Sequence, residues 1–496
     1  MQKIALYILI LLSAVISFTA CEKWLAATPP SEIREDEQFS TAFGFEQALM
    51  GCYIGMSVDN LYGTRLTWQM TELLARQYNV TAGGFLVFRY LQNYNYSNSS
   101  SRTHIETIWR SGYNVIANAN NALAFIESNG NEVLNPVQYK LIKGELLAIR
   151  AYMHFDLLRL FGFGDWEGRP AMAQKYTLPY ITTIGKSITP QYKGSDYIQA
   201  ILNDLTQALS LLADVDPVLG IHDVDFYADV NTEGFFNNRT KRLNYYAIKA
   251  LMARVYMWEG SDQSKTQART IAQETITALQ QKSVVSWMTQ TGVASNYALT
   301  TEAIFMVNVM DLSISTTQFL KLNLMDQELT TDYIHLTNSQ ASDLYETTTV
   351  GATDWRYTSL TYPGGTYRVP LKMYQTSTYS VNNNLVPLFR LPELYYIAAE
   401  TYITGPNADL GKAIQLLDEV RITRGITTPL SISTVEEAKE ELLKEYKKEF
   451  LCEGVVFFYY KRTGMPFIPQ YTGEMTDAQY VLPFPDIEIE NGRVQF

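Results

Sequence analysis

Cysteine and histidine are scarce, at 3 and 4 of 496 residues. The histidines, His104, His154, His222 and His335, stand far apart, and no two share metal-ligand spacing, so a zinc site of the HExxH or Cys/His kind has no support. Cys52 and Cys452 sit in apolar surroundings and are read as buried thiols; no disulfide framework is expected. Basic charge is also short, with 39 Lys and Arg against 51 Asp and Glu, a net charge of −12. Nucleic acid is therefore not an expected partner, because a phosphate backbone is held chiefly by clustered cations. There is no GxSxG elbow, and the glycines of "GFGDWEG", residues 162–168, follow a helical pattern without GxGxxG spacing, which makes a turn rather than a phosphate cradle. No metal and no cofactor is expected.

What is present is a composition fit for folding: 47% hydrophobic residues with 18% charged. The length would hold two or three ordinary domains or one large composite. Tyrosine is abundant, at 34 residues, an apolar plate with a polar tip that serves both helix packing and ligand surfaces. At the N-terminus Lys3 precedes the uncharged apolar run 4–18, which is too short to be read as a transmembrane helix. Thr19 and Ala20 then lead to Cys21, a pattern similar to a bacterial lipobox, with Phe18 where a smaller aliphatic residue is usual. The expectation is a signal peptide over 1–20, lipidation at Cys21, and a tether over 21–42 in which Pro29 and Pro30 exclude helix. An ordinary secretory signal with an incidental cysteine is the alternative. Acyl chains at Cys21 would hold the mature chain stably to a membrane.

The stretch "GELLAIRAYMHFDLLRLFG", residues 144–162, places charges among apolar residues. At 100° per residue Leu146, Ile149, Met153, Leu157 and Leu160 make one apolar stripe, and Leu147, Ala151, Phe155 and Leu158 make another. Arg150 and His154 occupy one polar seam between them; Glu145, Tyr152, Asp156 and Arg159 occupy the other. Such a helix must be covered on both sides, as in a stacked array. Glu145 and Asp156 lie about three turns apart, over ~15 Å by helical rise, so they do not form an acid/base pair.

Further helical patterns support the array. Residues 103–128 are periodic and are closed by Gly130 and Pro136, and 242–260 and 264–281 form a pair with small residues at Ala247, Ala250 and Ala253. A second pair is 390–403 and 408–425, joined at "GPN", with Leu410, Ala413, Ile414, Leu417 and Val420 inward. Each unit spans roughly 35–40 residues, the range of tetratricopeptide-type repeats, without the strict signature. The run 436–449 alternates charge at i,i+4 distances and reads as a solvated helix face. The predicted fold is mostly α: a tetratricopeptide-like helix-pair scaffold, with repeats at about 103–162, 194–213, 241–282 and 390–425 in one domain spanning 43–496. Loop-rich insertions at about 60–102 and 283–389 interrupt it, and these are where binding is expected.

In order and spacing the chain resembles the SusD/RagB family of outer-membrane nutrient-binding lipoproteins of Bacteroidetes. The likeness runs through the lipoprotein start, Trp109, Tyr113, Ile116 and Asn120, and then the helix carrying Glu145, Arg150, Phe155, Asp156 and Arg159. It continues through "LPYI" at 178–181, Arg390, Glu393, Glu400, Arg421, Arg424, Gly425, Glu445, Glu449, Glu453, Gly454, Arg462 and the terminal "LPFPDIEIENGRVQF". The chain departs from the family at Tyr446 and Val456, where Arg is usual, and at Tyr459, where Asp is usual. Those positions are read as structural, part of an ion-pair network.

The resemblance implies a non-catalytic, cell-surface lipoprotein of the outer membrane that captures oligosaccharides and passes them to a SusC-like TonB-dependent transporter. A peptide-binding relative and a secreted glycoside hydrolase are the alternatives. A sugar ring offers apolar faces and hydroxyl edges, so its site combines flat aromatics with amides or charged groups. "RQYN" at 76–79, "NYNYSN" at 93–98 and "SWMTQTGVASNY" at 286–297 supply that mixture. Arg76, Asn79, Tyr94, Tyr96, Trp287 and Asn296 are the candidate ligand contacts, weighed against the packing role most tyrosines must have.

Overall fold

A computed structural model of the chain describes residues 35–80, 86–185, 187–320, 334–375 and 380–494. The predicted signal segment, Cys21 and most of the tether lie outside the described residues. Among the described residues nine long helices form the scaffold: α1 Ala42–Met56, α2 Ser99–Val133, α3 Pro136–Phe161, α4 Gly194–Leu212, α5 Tyr245–Glu259, α6 Asp262–Gln281, α7 Leu391–Thr404, α8 Leu410–Thr423 and α9 Val435–Glu449. Each of the first eight packs on the next, and α9 closes against α7 and α8. The fold is the mostly α, tetratricopeptide-like array read from periodicity.

Local chemistry sets the helix ends. Asn135 caps α3, accepting from the Val137 amide at 2.9 Å while Gln138 reaches back to the Asn135 amide at 3.3 Å, and Pro136 occupies the first turn. Asn244 caps α5 by accepting from Tyr246 and Ala247, and Gly260 ends it in the left-handed region at φ 78°. α2 runs past the expected stop at Gly130 to Val133. The glycine is used there for close packing, since a Cβ would meet the Tyr139 ring at 3.3 Å, and the Asn135 cap of the next helix makes the break.

α3 is covered on both sides, with every residue from Gly144 to Phe161 buried. Its two polar seams find different neighbours. Arg150 donates to both oxygens of Asp204 on α4 at 2.7 Å, and His154 Nδ1 lies 2.6 Å from the Tyr197 hydroxyl on the same helix. On the other seam Glu145 accepts from Tyr53 of α1 at 2.6 Å and from Arg239 at 2.5 Å, and Asp156 accepts from Tyr62 at 2.6 Å. Burial holds the His154 imidazole down at about 3 and therefore neutral. Gly144 lets α4 approach, since a Cβ there would lie 1.9 Å from Leu212 Cδ1.

The segments between the long helices carry short elements. β1 (Asn79–Val80), β5 (Ile334–Thr337), β7 (Tyr367–Pro370) and β6 (Thr361–Pro363) form a small sheet in the order β1-β5-β7-β6; β2 (Tyr176–Pro179) pairs with β3 (Gln191–Lys193). β4 (Ala303–Asn308) pairs antiparallel with β8 (Leu385–Arg390), from Ala303 opposite Arg390 to Asn308 opposite Leu385. Cys52 and Cys452 are buried thiols. No described helix is long and apolar enough to cross a membrane.

Candidate ligand-binding cleft

Two segments about 80 residues apart in sequence, 294–302 before β4 and the described residues 371–375 and 380–384 before β8, meet beside the β4–β8 pair. A relay of side chains ties them: Asn296 Nδ2 donates to Thr300 Oγ1 at 2.9 Å, and that hydroxyl donates to Asn382 Oδ1 at 2.9 Å. Asn296 Oδ1 accepts from the Thr300 amide at 3.2 Å, closing the turn. Leu299 within this turn is left-handed at φ 55°, a conformation costing about 1–3 kcal/mol outside glycine, which its full burial and the Asn296 bonds offset.

Between the loops opens a cleft of about 350 Å³. Tyr297 and Tyr374, both half-buried, stand on it with ring centroids 5.8 Å apart and planes tilted by 58°. Gln375, Ser380, Asn382 and Asn383 line the same space. Burial raises the Tyr374 phenol, with Tyr297 adding to it, so the hydroxyl stays protonated at neutral pH. The described lining thus offers two aromatic faces, hydroxyls and carboxamides, and contains no carboxylate.

The cleft's supports are buried ion pairs. Glu302, just before β4, accepts from Arg390 at 2.9 Å and from both terminal nitrogens of Arg424 at 2.8 Å. Arg390 and Arg424 also reach Glu449 on α9, at 2.7 and 2.9 Å, and Arg356 joins Glu449 to Glu445 at 2.9 and 3.0 Å. Lys372, two residues before Tyr374, donates to the Glu449 carbonyl and to Glu453. Against the desolvation that raises it, Lys448, Arg356 and Arg421 hold the Glu445 carboxyl at about 2, and Glu449 is held well below the usual range by Arg424, Arg390 and Arg356. Burial alone would favour the neutral acids, so these shifts mark carboxylates held ionised by the arginines and lysine around them. The reading of 436–449 as a solvated face is corrected here, because Glu445, Lys448 and Glu449 are buried in it. Of the departures noted in the sequence, Tyr446 and Tyr459 pack ring against ring at 4.6 Å with planes tilted by 33°.

The six sequence candidates fall in separate places. Arg76 lies 4.8 Å from the Tyr471 ring centroid and 5.7 Å from that of Tyr94, and it donates to the Gln470 carbonyl and to Asn93 at 3.0 Å. Tyr94 and Tyr96 are buried, with hydroxyls donating to the Leu74 and Gln479 carbonyls at 2.8 and 2.7 Å. Asn79, on β1, exchanges amide hydrogen bonds with Gln340. Trp287 is half-buried over Arg424 at 5.4 Å. Asn296 lines the cleft, its amide committed to Thr300. The structure brings Arg76, Tyr94 and Tyr96 into one cluster and sets Asn296 in the cleft. Tyr297, Tyr374, Gln375 and Asn382 were not singled out, although "MYQTSTYSVNNN" at 373–384 has the same aromatic-and-amide mixture that drew attention elsewhere.

A larger cavity, about 670 Å³, lies on the far side of α3 along α2. Its walls include the branched aliphatics Ile116, Ile181, Ile184 and Ile188, and its Trp109 is buried edge-to-face against Phe161 and Phe484 at 4.9 and 5.4 Å. Its most exposed walls are the aliphatic Ile184 and Ile188, with Tyr113 and Phe484 half-buried beside them, whereas the smaller cleft sets two tyrosines among carboxamides and is the better match for a hydroxyl-rich ring.

Residues 227–484 match the profile of the SusD family, and residues 23–219 match a family described as starch-binding and associating with the outer membrane. The chain belongs to the SusD family. No curated protein matches the sequence. Among solved structures it is similar to a SusD superfamily protein from Bacteroides vulgatus at 19% identity, with a TM-score of 0.69 over 92% of this chain and 98% of that one. A SusD-like carbohydrate-binding protein from the same organism shares 16% identity and a TM-score of 0.69, covering 91% of this chain and 96% of that one. Surface glycan-binding protein A from Bacteroides thetaiotaomicron, solved with laminarihexaose, shares 15% identity and a TM-score of 0.65, covering 92% and 99%. At these identities the likeness establishes the SusD fold, and the binding chemistry is argued from this chain's own cleft.

Proposed function

We propose that the protein is a cell-surface glycan-binding lipoprotein that captures oligosaccharides at the Tyr297–Tyr374 cleft and delivers them to a SusC-like TonB-dependent transporter. The observation carrying this reading is the pair of half-exposed tyrosine faces flanked by Gln375, Ser380 and Asn382. Stacked rings take the apolar faces of a pyranose, and carboxamides both donate to and accept from its hydroxyls. Because the two rings are tilted by 58°, they follow a glycan that bends from one residue to the next better than a flat ribbon. Membership of an outer-membrane-associated family and the laminarihexaose-bound relative support the glycan class. Asn296 acts in this scheme by holding the loop that presents Tyr297. Arg76, Asn79, Tyr94, Tyr96 and Trp287 take supporting places around the insertions.

Processing is proposed to remove residues 1–20 and lipidate Cys21, with 21–42 as tether and 43–496 as one SusD-type domain. Two-carboxylate hydrolysis needs paired acids about 5–10 Å apart, and the described lining of the cleft supplies none, which supports binding over hydrolysis. The strongly shifted carboxylates Glu445 and Glu449 are spent on arginines in the core. The test is calorimetry with oligosaccharides and peptides, followed by measurement of ligand length. Saturable binding of intact glycan, weakened about tenfold in Tyr297→Ala, is expected; peptide binding alone would move the reading to a peptide-binding relative.

A further inference from the structure

The larger cavity along α2 has exposed aliphatic walls, with Ile184 at 52% and Ile188 at 68% exposure beside Tyr113, Ala117 and Phe484. The first described residues run toward it along α2. Asn129, Phe125, Asn121, Ala117 and Tyr113 are spaced four apart on α2 and make one stripe of that helix. Asn129 donates to the Phe39 carbonyl at 3.1 Å, Phe39 stacks on Phe125 at 4.3 Å, and Asn121 donates to Glu35 at 3.3 Å. Followed backward from Phe39 to Glu35, the chain therefore travels along this stripe toward Ala117, one turn or about 6 Å further on.

We propose that the cavity seats the segment 22–34 of the same chain, "EKWLAATPPSEIR", so that the predicted tether is docked along α2 rather than free. The 13 residues can extend about 40 Å, more than the groove requires, and Pro29 and Pro30 favour the extended form. Trp24, Leu25 and Ile33 supply apolar side chains to a groove walled by isoleucines. Docking brings the membrane attachment expected at Cys21 to one fixed side of the helical array, which orients the opposite elements.

Cross-linking tests this in the chain from Glu22 onward. Ala27→Cys is combined with Thr183→Cys at the groove, or with Val224→Cys, a surface position 84% exposed on another loop. A docked segment raises the effective concentration of the two thiols at the groove. A short bismaleimide should then link 27 to 183 within one molecule at least tenfold faster than 27 to 224. Adding Ile184→Asp and Ile188→Asp should remove that advantage. Equal rates at the two pairs, an advantage that survives both aspartates, or links formed only between molecules would overturn the proposal.

Discussion

Glu72 is fully buried, with Oε1 accepting from the Gly454 amide at 2.8 Å and Oε2 lacking a hydrogen-bond partner. Burial pushes its carboxyl up to about 8, against the Gly454 and Cys452 amides and Lys372, while Glu453 adds to the rise; Tyr78, Tyr460 and Cys452 also border it. The folded chain thus keeps a proton that the unfolded chain releases above the ordinary value of 4.5. This contribution to stability is full below that value, declines as pH rises, and is gone above about 8. Glu72→Gln removes the penalty and is expected to gain on the order of 1–3 kcal/mol over wild type at pH 8, and little at pH 4. Urea unfolding of both proteins across this range checks it, and parallel profiles would contradict it. Gly454 itself is positioned by need: it is left-handed at φ 70°, and a Cβ would lie 2.2 Å from the Leu66 carbonyl. In the cleft, Tyr297→Ala and Tyr374→Ala should each weaken glycan binding about tenfold, or ~1.4 kcal/mol, while Tyr94→Phe should change it less than twofold.

α3 and α9 show what sequence patterns reveal about helices and what they hide. The two apolar stripes of α3 repeat over several turns, so burial on both sides was legible from spacing alone; that Arg150 pairs with Asp204 and Glu145 with Arg239 on other segments was not, since neighbour spacing along one helix suits pairing within it equally well. In α9 the same i,i+4 charges suit water or an internal network equally well, and only the arrival of Arg356, Arg390 and Arg424 from distant segments makes Glu449 internal. The cleft was half legible for the same reason: Asn296 lay in a marked stretch, but Tyr374 and Asn382 join it only through contacts with Tyr297 and Thr300 across about 80 residues of sequence. Glu449→Gln leaves three buried guanidiniums under-compensated and is expected to cost about 3–5 kcal/mol. Because Lys372 and Glu302 hang from the same network, it should also weaken ligand binding, which calorimetry at low temperature would show. Gly144→Val forces α3 and α4 apart, with an expected loss of about 1–3 kcal/mol. Thermal denaturation measures both, and unchanged melting would count against either account.

The nine helices and their insertions are held together by charges that are mostly out of water, and this fixes the response to pH and salt. Glu445 and Glu449 are held low, at about 2 and well below the usual range, so their stabilisation is present above pH 4.5 and lost as pH falls through the folded values. Stability is expected to drop steeply between about pH 4 and pH 2, while moderate salt at neutral pH changes it little because buried pairs are poorly screened. An acid profile unaffected by Glu445→Gln would argue against the network as its source. Binding gives the decisive result. Calorimetric titration of residues 22–496 with an oligosaccharide series, alongside the Tyr297→Ala/Tyr374→Ala double variant, should show saturable binding to the wild type, intact ligand afterwards, and no detectable heat with the variant. Shortened ligand would contradict a binding function, and undiminished affinity in the folded variant would contradict the cleft.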